Sequence, residues 1–493
     1  LNQIALIPLA LPLFGTILTP IGLFSRKLRN IVLTAILLLS LALNSYLLVS
    51  SFNTSTHIEV GLITVDSVSF LISEMTLFLG TLVAVYSISY IKEKPLENLY
   101  FALLMLLFGT IVGLTMSFNL VILFAFLEAS TASSALLILF SRTKAALKAA
   151  CIYIALSVIG ALLILIAIFE LHSIAGTVNL LNPKLVSLSS ATKVNLCILL
   201  LLGFGIKSGL VPFGLVWLPQ AYSEAPAPIS VALSGILAQA VVFVLIRSVS
   251  LLGFYELIVA YLLIGFGIVS AIVGLIFAFL EIRGIKISML GFRRDLKRIL
   301  AFSSISEIGI IVFIAGLALL HSATPILSIA IIHIINHGLA KSLLFLSAGN
   351  IVFLLKTRDL ANMGGLARIT PDTAFSFLIG ALSLGMVPPL LGFRTILEAF
   401  QMLDFTIVIL LLLIALGTIL FYGITFYKAF LGKKQEKQLK LPSLMIISTM
   451  LCCLILLIIS AFSFMGIIEP LIKNISKNFL NKWFGGLKFY EFN

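Results

Sequence analysis

The chain has 493 residues, 61% of them hydrophobic and 10% charged, with a formal net charge of +13 and a mean hydropathy of +1.22. Charge far below the roughly 25% of a soluble domain excludes a water-soluble protein. The basic residues sit in short links between apolar runs, where they act as topology signals rather than a nucleic-acid surface.

Repeated apolar runs of about 20 residues imply an all-α polytopic membrane protein. About fourteen spans are expected, at roughly 4–23, 30–51, 64–91, 98–116, 119–140, 146–171, 194–217, 228–252, 256–280, 299–320, 324–355, 373–402, 405–431 and 443–468. The first lacks a basic n-region and a small-residue cleavage site, so it is read as a retained span. Basic links alternate with neutral ones. Arg26, Lys27 and Arg29 follow the first span, then come Lys92 and Lys94, then Arg142, Lys144 and Lys148. Arg283, Lys286, Arg293, Arg294, Lys297 and Arg298 share a later link; Lys356 with Arg358, and Lys433, Lys434, Lys437 and Lys440, lie on the same side. The positive-inside rule makes these links cytoplasmic and the N-terminus external. Lys473, Lys477, Lys482 and Lys488 in the tail weigh mildly against an external C-terminus. Cys151, Cys197, Cys452 and Cys453 fall within apolar spans without metal-site spacing and are read as small hydrophobes.

Several polar residues interrupt the apolar runs. Glu128 is flanked by apolar residues for more than a turn each way, so it needs a cation or must be neutral. Lys207 is its expected partner. That lysine lies between Gly205 and Gly209 with Pro212 beyond, which reads as a helix broken beside a hydrated cavity; the plainer alternative is a lysine snorkelling from a helix end. Gln239 and Arg247 lie two turns apart on one span. His333, His337 and Lys341, at i, i+4 and i+8, share a helix face with Asn336 alongside. Imidazoles there suit a proton relay, with structural hydrogen bonding or metal binding as alternatives. Glu307 is a second intramembrane acid, and Glu74, Glu170 and Glu398 also interrupt apolar runs. A second break falls at Pro388 and Pro389. Just after it Arg394 and Glu398 stand at i, i+4, as a local salt bridge or as part of a path.

Pro212 and Pro388 are 176 residues apart, and Glu128 and Glu307 are 179 apart. This near-constant offset suggests an internal repeat of about five helices; coincidence between common membrane prolines is the alternative. The expected divisions are 1–95, a first repeat at 96–253, a second at 254–432, and a last span with its tail at 433–493. No dinucleotide, P-loop or nucleophile-elbow motif is present.

Taken together, these motifs resemble the antiporter-like membrane subunits shared by respiratory complex I, Mrp cation/proton antiporters and energy-converting membrane-bound hydrogenases, with their sulfur-reducing relatives. The resemblance covers about residues 60–430. It rests on Tyr86-Ser-Ile-Ser-Tyr90, Asn119 with Glu128, Lys207-Ser-Gly-Leu-Val-Pro-Phe213, Trp217-Leu-Pro219 and Ala225-Pro-Ala-Pro-Ile-Ser230. It rests also on Asp295-Leu-Lys-Arg298 with the serines after it, the His333–Lys341 segment, and Pro388-Pro with Gly392-Phe393.

The resemblance implies two inverted five-helix repeats, broken seventh and twelfth helices, a Glu128–Lys207 pair, and a row of lysines and histidines across the membrane midplane. Departures from the pattern are the histidine missing after Pro212, Gln239 in place of a lysine, no lysine near Ile396, and a long Glu281–Arg294 segment. Arg394 and Glu398 are left as displaced candidates for the exit. The function implied is translocation of H+, or alternatively Na+, by a subunit of a redox-driven complex in a prokaryotic cytoplasmic membrane. Its partners would be lipid, other membrane subunits and a redox arm, and iron–sulfur clusters or a nickel–iron site would sit only on those partners. The alternatives are an Mrp-type sodium/proton antiporter subunit, or a structural subunit whose path is inactive.

Overall fold

The computed structural model describes residues 4–52, 58–287, 290–431, 440–467 and 470. The expected lysines at 433, 434 and 437, and those of the tail, lie outside the described residues. Among the described residues, thirteen helices are long and apolar enough to cross a membrane. The remaining expected span, the twelfth, is two short helices, Pro371–Leu384 and Leu391–Met402. The seventh is likewise interrupted. Ser190–Ser208 stops at Gly209, and Gly214–Glu224 resumes beyond it and ends seven residues past the expected boundary at 217. Pro219 inside that second piece does not end it, so the boundary falls at Ala225-Pro226 instead.

The pattern of burial follows the polar residues. Ala227–Gly253 and Leu296–Leu320 are enclosed almost along their whole lengths, while Arg26–Ser51 and Lys144–Ala175 turn most of their surface outward. In hydrocarbon a charged or amide side chain must face protein or water. Accordingly Gln239, Arg247, Glu307, His333, His337 and Lys341 are all buried on the enclosed helices.

Outside the helices, two short antiparallel hairpins pair Ile58–Val60 with Ile63–Val65, and Lys286–Ile287 with Leu290–Gly291. The second occupies the long Glu281–Arg294 segment. The backbone just after its return strand is held by the buried Glu281 carboxylate, which accepts from the N–H of Arg293 (2.9 Å) and of Asp295 (3.1 Å). Asp295 in turn caps the next helix, accepting from the N–H of Lys297 and Arg298.

Candidate functional site

Lys207 sits in the last turn of Ser190–Ser208. That helix crosses Lys144–Ala175 where Gly160 meets Gly203, and a methyl on either would fall under 3 Å from the other's carbonyl oxygen. Small residues let the two backbones approach, which brings Lys207 against the crossing. The break beyond it frees backbone groups that lipid cannot satisfy. The N–H of Val211 donates to Ser270 Oγ (3.0 Å), and Trp217 Nε1–H donates to the carbonyl of Ile206 (2.9 Å), locking the second piece onto the first. From this perch Lys207 Nζ reaches Glu128 Oε1 at 2.8 Å and donates to Thr131 Oγ1 at 3.1 Å. The pair is asymmetric: the lysine side chain is 3% exposed and the glutamate 33%.

Gln239 follows a π-helical turn over Ala232–Leu237. Such turns leave carbonyls looking for donors; Tyr222 OH donates to that of Leu233 (3.1 Å), and Gln239 Nε2 to that of Ser234 (3.3 Å). The same amide nitrogen contacts His337 Nδ1. With the amide donating there, the neutral ring carries its proton on Nε2.

The three residues of the shared face take separate partners. His337 meets Gln239. His333 places Nε2 3.0 Å from Glu307 Oε2 and Nδ1 3.0 Å from Thr395 Oγ1. Lys341 donates to Ser303 Oγ, to the carbonyl of Leu300 (3.0 Å) and to Tyr422 OH (3.1 Å). Glu307 Oε1, His337 Nε2 and Gln239 Oε1 are buried without a hydrogen-bond partner among the described residues. Buried polar atoms of this kind are the usual seats of internal water.

The second break repeats the first in its details. The N–H of Leu391 donates to Ser460 Oγ (2.9 Å), as that of Val211 does to Ser270. Gly214 and Gly392 press their Cα atoms against the carbonyls of Gly209 and Ser383, where a methyl would lie 1.8 Å from the oxygen. Both breaks contain a cis peptide, Val211–Pro212 and Pro388–Pro389. Asn336 ties in by bonding Ser383 twice, from Nδ2 to its carbonyl (3.3 Å) and from Ser383 Oγ to Oδ1 (2.6 Å). One residue before Thr395, Arg394 forms an ion pair with Glu398.

Other polar residues singled out in the sequence lie apart from this row. Arg247 pairs with Asp66 (2.9 Å), donates to the Thr115 carbonyl and Ser69 Oγ, and lies between the rings of Phe118 and Phe243. Glu74 accepts from Asn44 and Ser45, and Glu170 from Asn195 near the surface. The cysteines are free thiols, and no group of three or more His, Cys, Asp or Glu able to hold a metal occurs among the described residues. Thr131, Thr395 and Tyr422, which complete the polar contacts, were not anticipated, and Ser303 entered only among the serines after Asp295-Leu-Lys-Arg298. Hydroxyls are frequent in membrane helices, and nothing local gives these four a site role.

A family profile described as "NADH:quinone oxidoreductase/Mrp antiporter, TM" matches residues 117–421, which include both ends of the row from Glu128 to Thr395. The chain belongs to this family. Among curated family relatives, hydrogenase-4 component B of Escherichia coli is 31% identical over 324 residues, covering 60% of this chain and 46% of that protein. One Na(+)/H(+) antiporter subunit of Alkalihalophilus pseudofirmus is 33% identical over 401 residues, covering 75% of this chain and 48% of that one. The aligned part thus spans about half the length of these relatives. Two solved structures share the fold. A chain of the archaeal membrane-bound sulfane sulfur reductase superposes with a TM-score of 0.83 at 21% identity, covering 99% of this chain and 100% of that one. A chain of the Mrp complex from Dietzia sp. gives 0.85 at 18%, covering 99% and 98%.

Proposed function

We propose that this antiporter-like membrane subunit translocates ions, H+ in the first instance, within a redox-driven complex of a prokaryotic cytoplasmic membrane. Its N-terminus would lie outside and its basic links in the cytoplasm. The observation that carries this reading is the Glu128–Lys207 pair at 2.8 Å beside a broken helix, with a second set of buried titratable groups, His337 against the amide of Gln239 and His333 against Glu307. A proton reaching Glu128 removes the counter-charge of a lysine that has left water, so the pair responds to charge arriving nearby. Further along, His337 and His333 can each accept and release a proton, with Gln239 and Thr395 as hydrogen-bonding neighbours. Gln239 carries no charge, so transfer past it runs through water. Thr395, Arg394 and Glu398 continue from His333 along the helix after the second break. The matched glycine contacts at the two breaks, Gly214 on Gly209 and Gly392 on Ser383, support a repeat of 96–253 in 254–432. Electrons would be handled by partner subunits carrying iron–sulfur or nickel–iron centres, and other membrane subunits would flank this one.

A second reading, an Mrp-type sodium/proton antiporter subunit driven by an ion gradient, is favoured by the likeness to the Alkalihalophilus Na(+)/H(+) antiporter protein over 75% of the chain. Purification from native membranes separates the two, since a redox arm co-purifies only under the first. Lys207→Ala then abolishes translocation while electron transfer persists at least in part. Undiminished translocation in that variant refutes both and leaves a structural subunit.

A further inference from the structure

Lys297 and Arg358 play no part in the row above, yet both end on one short stretch of backbone. Lys297, 2% exposed, donates from Nζ to the carbonyls of Ser223 (3.1 Å) and Ala225 (2.6 Å). Arg358 donates to the same Ser223 carbonyl and pairs with Glu224 at 2.9 Å and with Asp295 at 3.2 Å. Ser223–Ala225 is the C-terminal end of the piece Gly214–Glu224. The last carbonyls of a helix lack intrahelical partners and carry the negative end of its dipole, so cations there both satisfy and attract them.

At its other end that piece governs Lys207. Trp217 Nε1–H holds the carbonyl of Ile206, the residue before the lysine, and the Trp217 ring lies 5.0 Å from that of Tyr153. Eleven residues of helix make a rod about 16 Å long. It is fixed at one end by cations from beyond residue 254 and at the other by the break that carries Lys207. Three elements meet at the clamped end: the helix Leu296–Leu320 through Lys297, the link after Leu355 through Arg358, and the rod itself. Asp295 sits among them; burial pushes its carboxyl up from the ordinary value while Arg358 and Lys297 pull the other way.

We infer that Lys297 and Arg358 are positioning residues for Lys207: they clamp the rod Gly214–Glu224 from the second half of the chain, and so set the Lys207–Glu128 separation. The inference rests on the reading of that pair as the responsive element. A purely local cap would alter assembly or stability and leave the pH dependence of transport alone. A positioning role moves that dependence, because the charged and titratable groups around Lys207 are then rearranged. Those are Glu128 across the ion pair and Tyr153 beside it; Glu224, Asp295 and Arg358 surround Lys297.

The test uses the whole complex, purified from native membranes and reconstituted into liposomes. Translocation is followed across pH, and subunit content is scored in the same preparations. Lys297→Met displaces the midpoint of the pH–rate profile by about one unit. Lys297→Arg, which restores donors to Ser223 and Ala225, returns it. Trp217→Phe, which removes the Nε1 donor and keeps an aromatic ring against Tyr153, displaces the midpoint as well, and it decides the matter if Lys297→Met does not assemble. An assembled, translocating variant with the wild-type profile overturns the clamp. Undiminished translocation by Lys207→Ala overturns instead the reading on which the clamp rests, so the two failures are distinct.

Discussion

Replacing Gly392 by alanine tests whether the second break is held by close backbone contact. A methyl at that position would lie 1.8 Å from the carbonyl oxygen of Ser383 and 2.9 Å from Asn336 Nδ2. Carbon and oxygen rest no closer than about 3.3 Å, so the two segments must part by roughly 1.5 Å. Neither obstacle is the loose end of a long side chain: one is backbone, and the other is tied to Ser383 by two hydrogen bonds. Overfilling a packed interior costs about 1–3 kcal/mol, and a backbone obstacle puts Gly392→Ala at the top of that range. Thr395, which meets His333, lies three residues on in the same helix. A displacement of about 1 Å in a reacting geometry can cost about 100-fold in rate. We therefore expect fewer assembled complexes and translocation per complex lower by one to two orders of magnitude, measured as subunit content and dye-reported ion uptake in liposomes. Gly265→Ala and Gly423→Ala are the controls. Both glycines are helical with nothing within 4 Å of the added methyl, so alanine there is neutral or favourable by up to about 1 kcal/mol. Were Gly392→Ala to match these controls in both measurements, the contact argument would be wrong.

Arg247→Met removes the guanidinium paired with the buried Asp66 carboxylate and should cost about 3–5 kcal/mol, seen as a lower unfolding midpoint in detergent. Adding Asp66→Asn should recover part of the loss; simple additivity of the two would show that the ion pair contributes nothing. Gln239→Leu removes the amide from His337 and should slow translocation about tenfold or more, a loss of roughly 1.4 kcal/mol of hydrogen bonding. An unchanged rate would place Gln239 outside the path.

The spans, the two breaks and the Glu128–Lys207 pair were legible because each violates what lipid allows, and the bilayer permits few explanations for a violation. A lysine before a proline, or a carboxylate amid leucines, is expensive enough to be informative by itself. The helical period also placed His333, His337 and Lys341 on one face. It could not show that this face reaches four different helices, through Gln239, Glu307 with Ser303, Thr395 and Tyr422, because that depends on the neighbours' positions. Arg247 illustrates the limit. The sequence placed it only two turns from Gln239 on one span, yet its partner is Asp66, 181 positions away, on a segment read only as the start of a span. Ser270 and Ser460 were invisible for a related reason: what makes them matter is a backbone N–H exposed by a distant break. The end of the seventh span was misjudged because Trp217-Leu-Pro219 looks like a terminus, whereas the helix accommodates Pro219 and runs on to Glu224.

Trp217 is one of two tryptophans in the chain, the other being Trp483 in the tail beyond the described residues. Its indole is bonded to the carbonyl beside Lys207 and stands against a tyrosine ring. Hydrogen bonding and contact with a phenol both alter indole emission. With Trp483 replaced by phenylalanine, red-edge excitation would make this chain's own fluorescence a gauge of the first break. In the isolated chain, a change in the Trp217–Ile206 hydrogen bond beside the lysine could then be followed with no foreign label in the membrane.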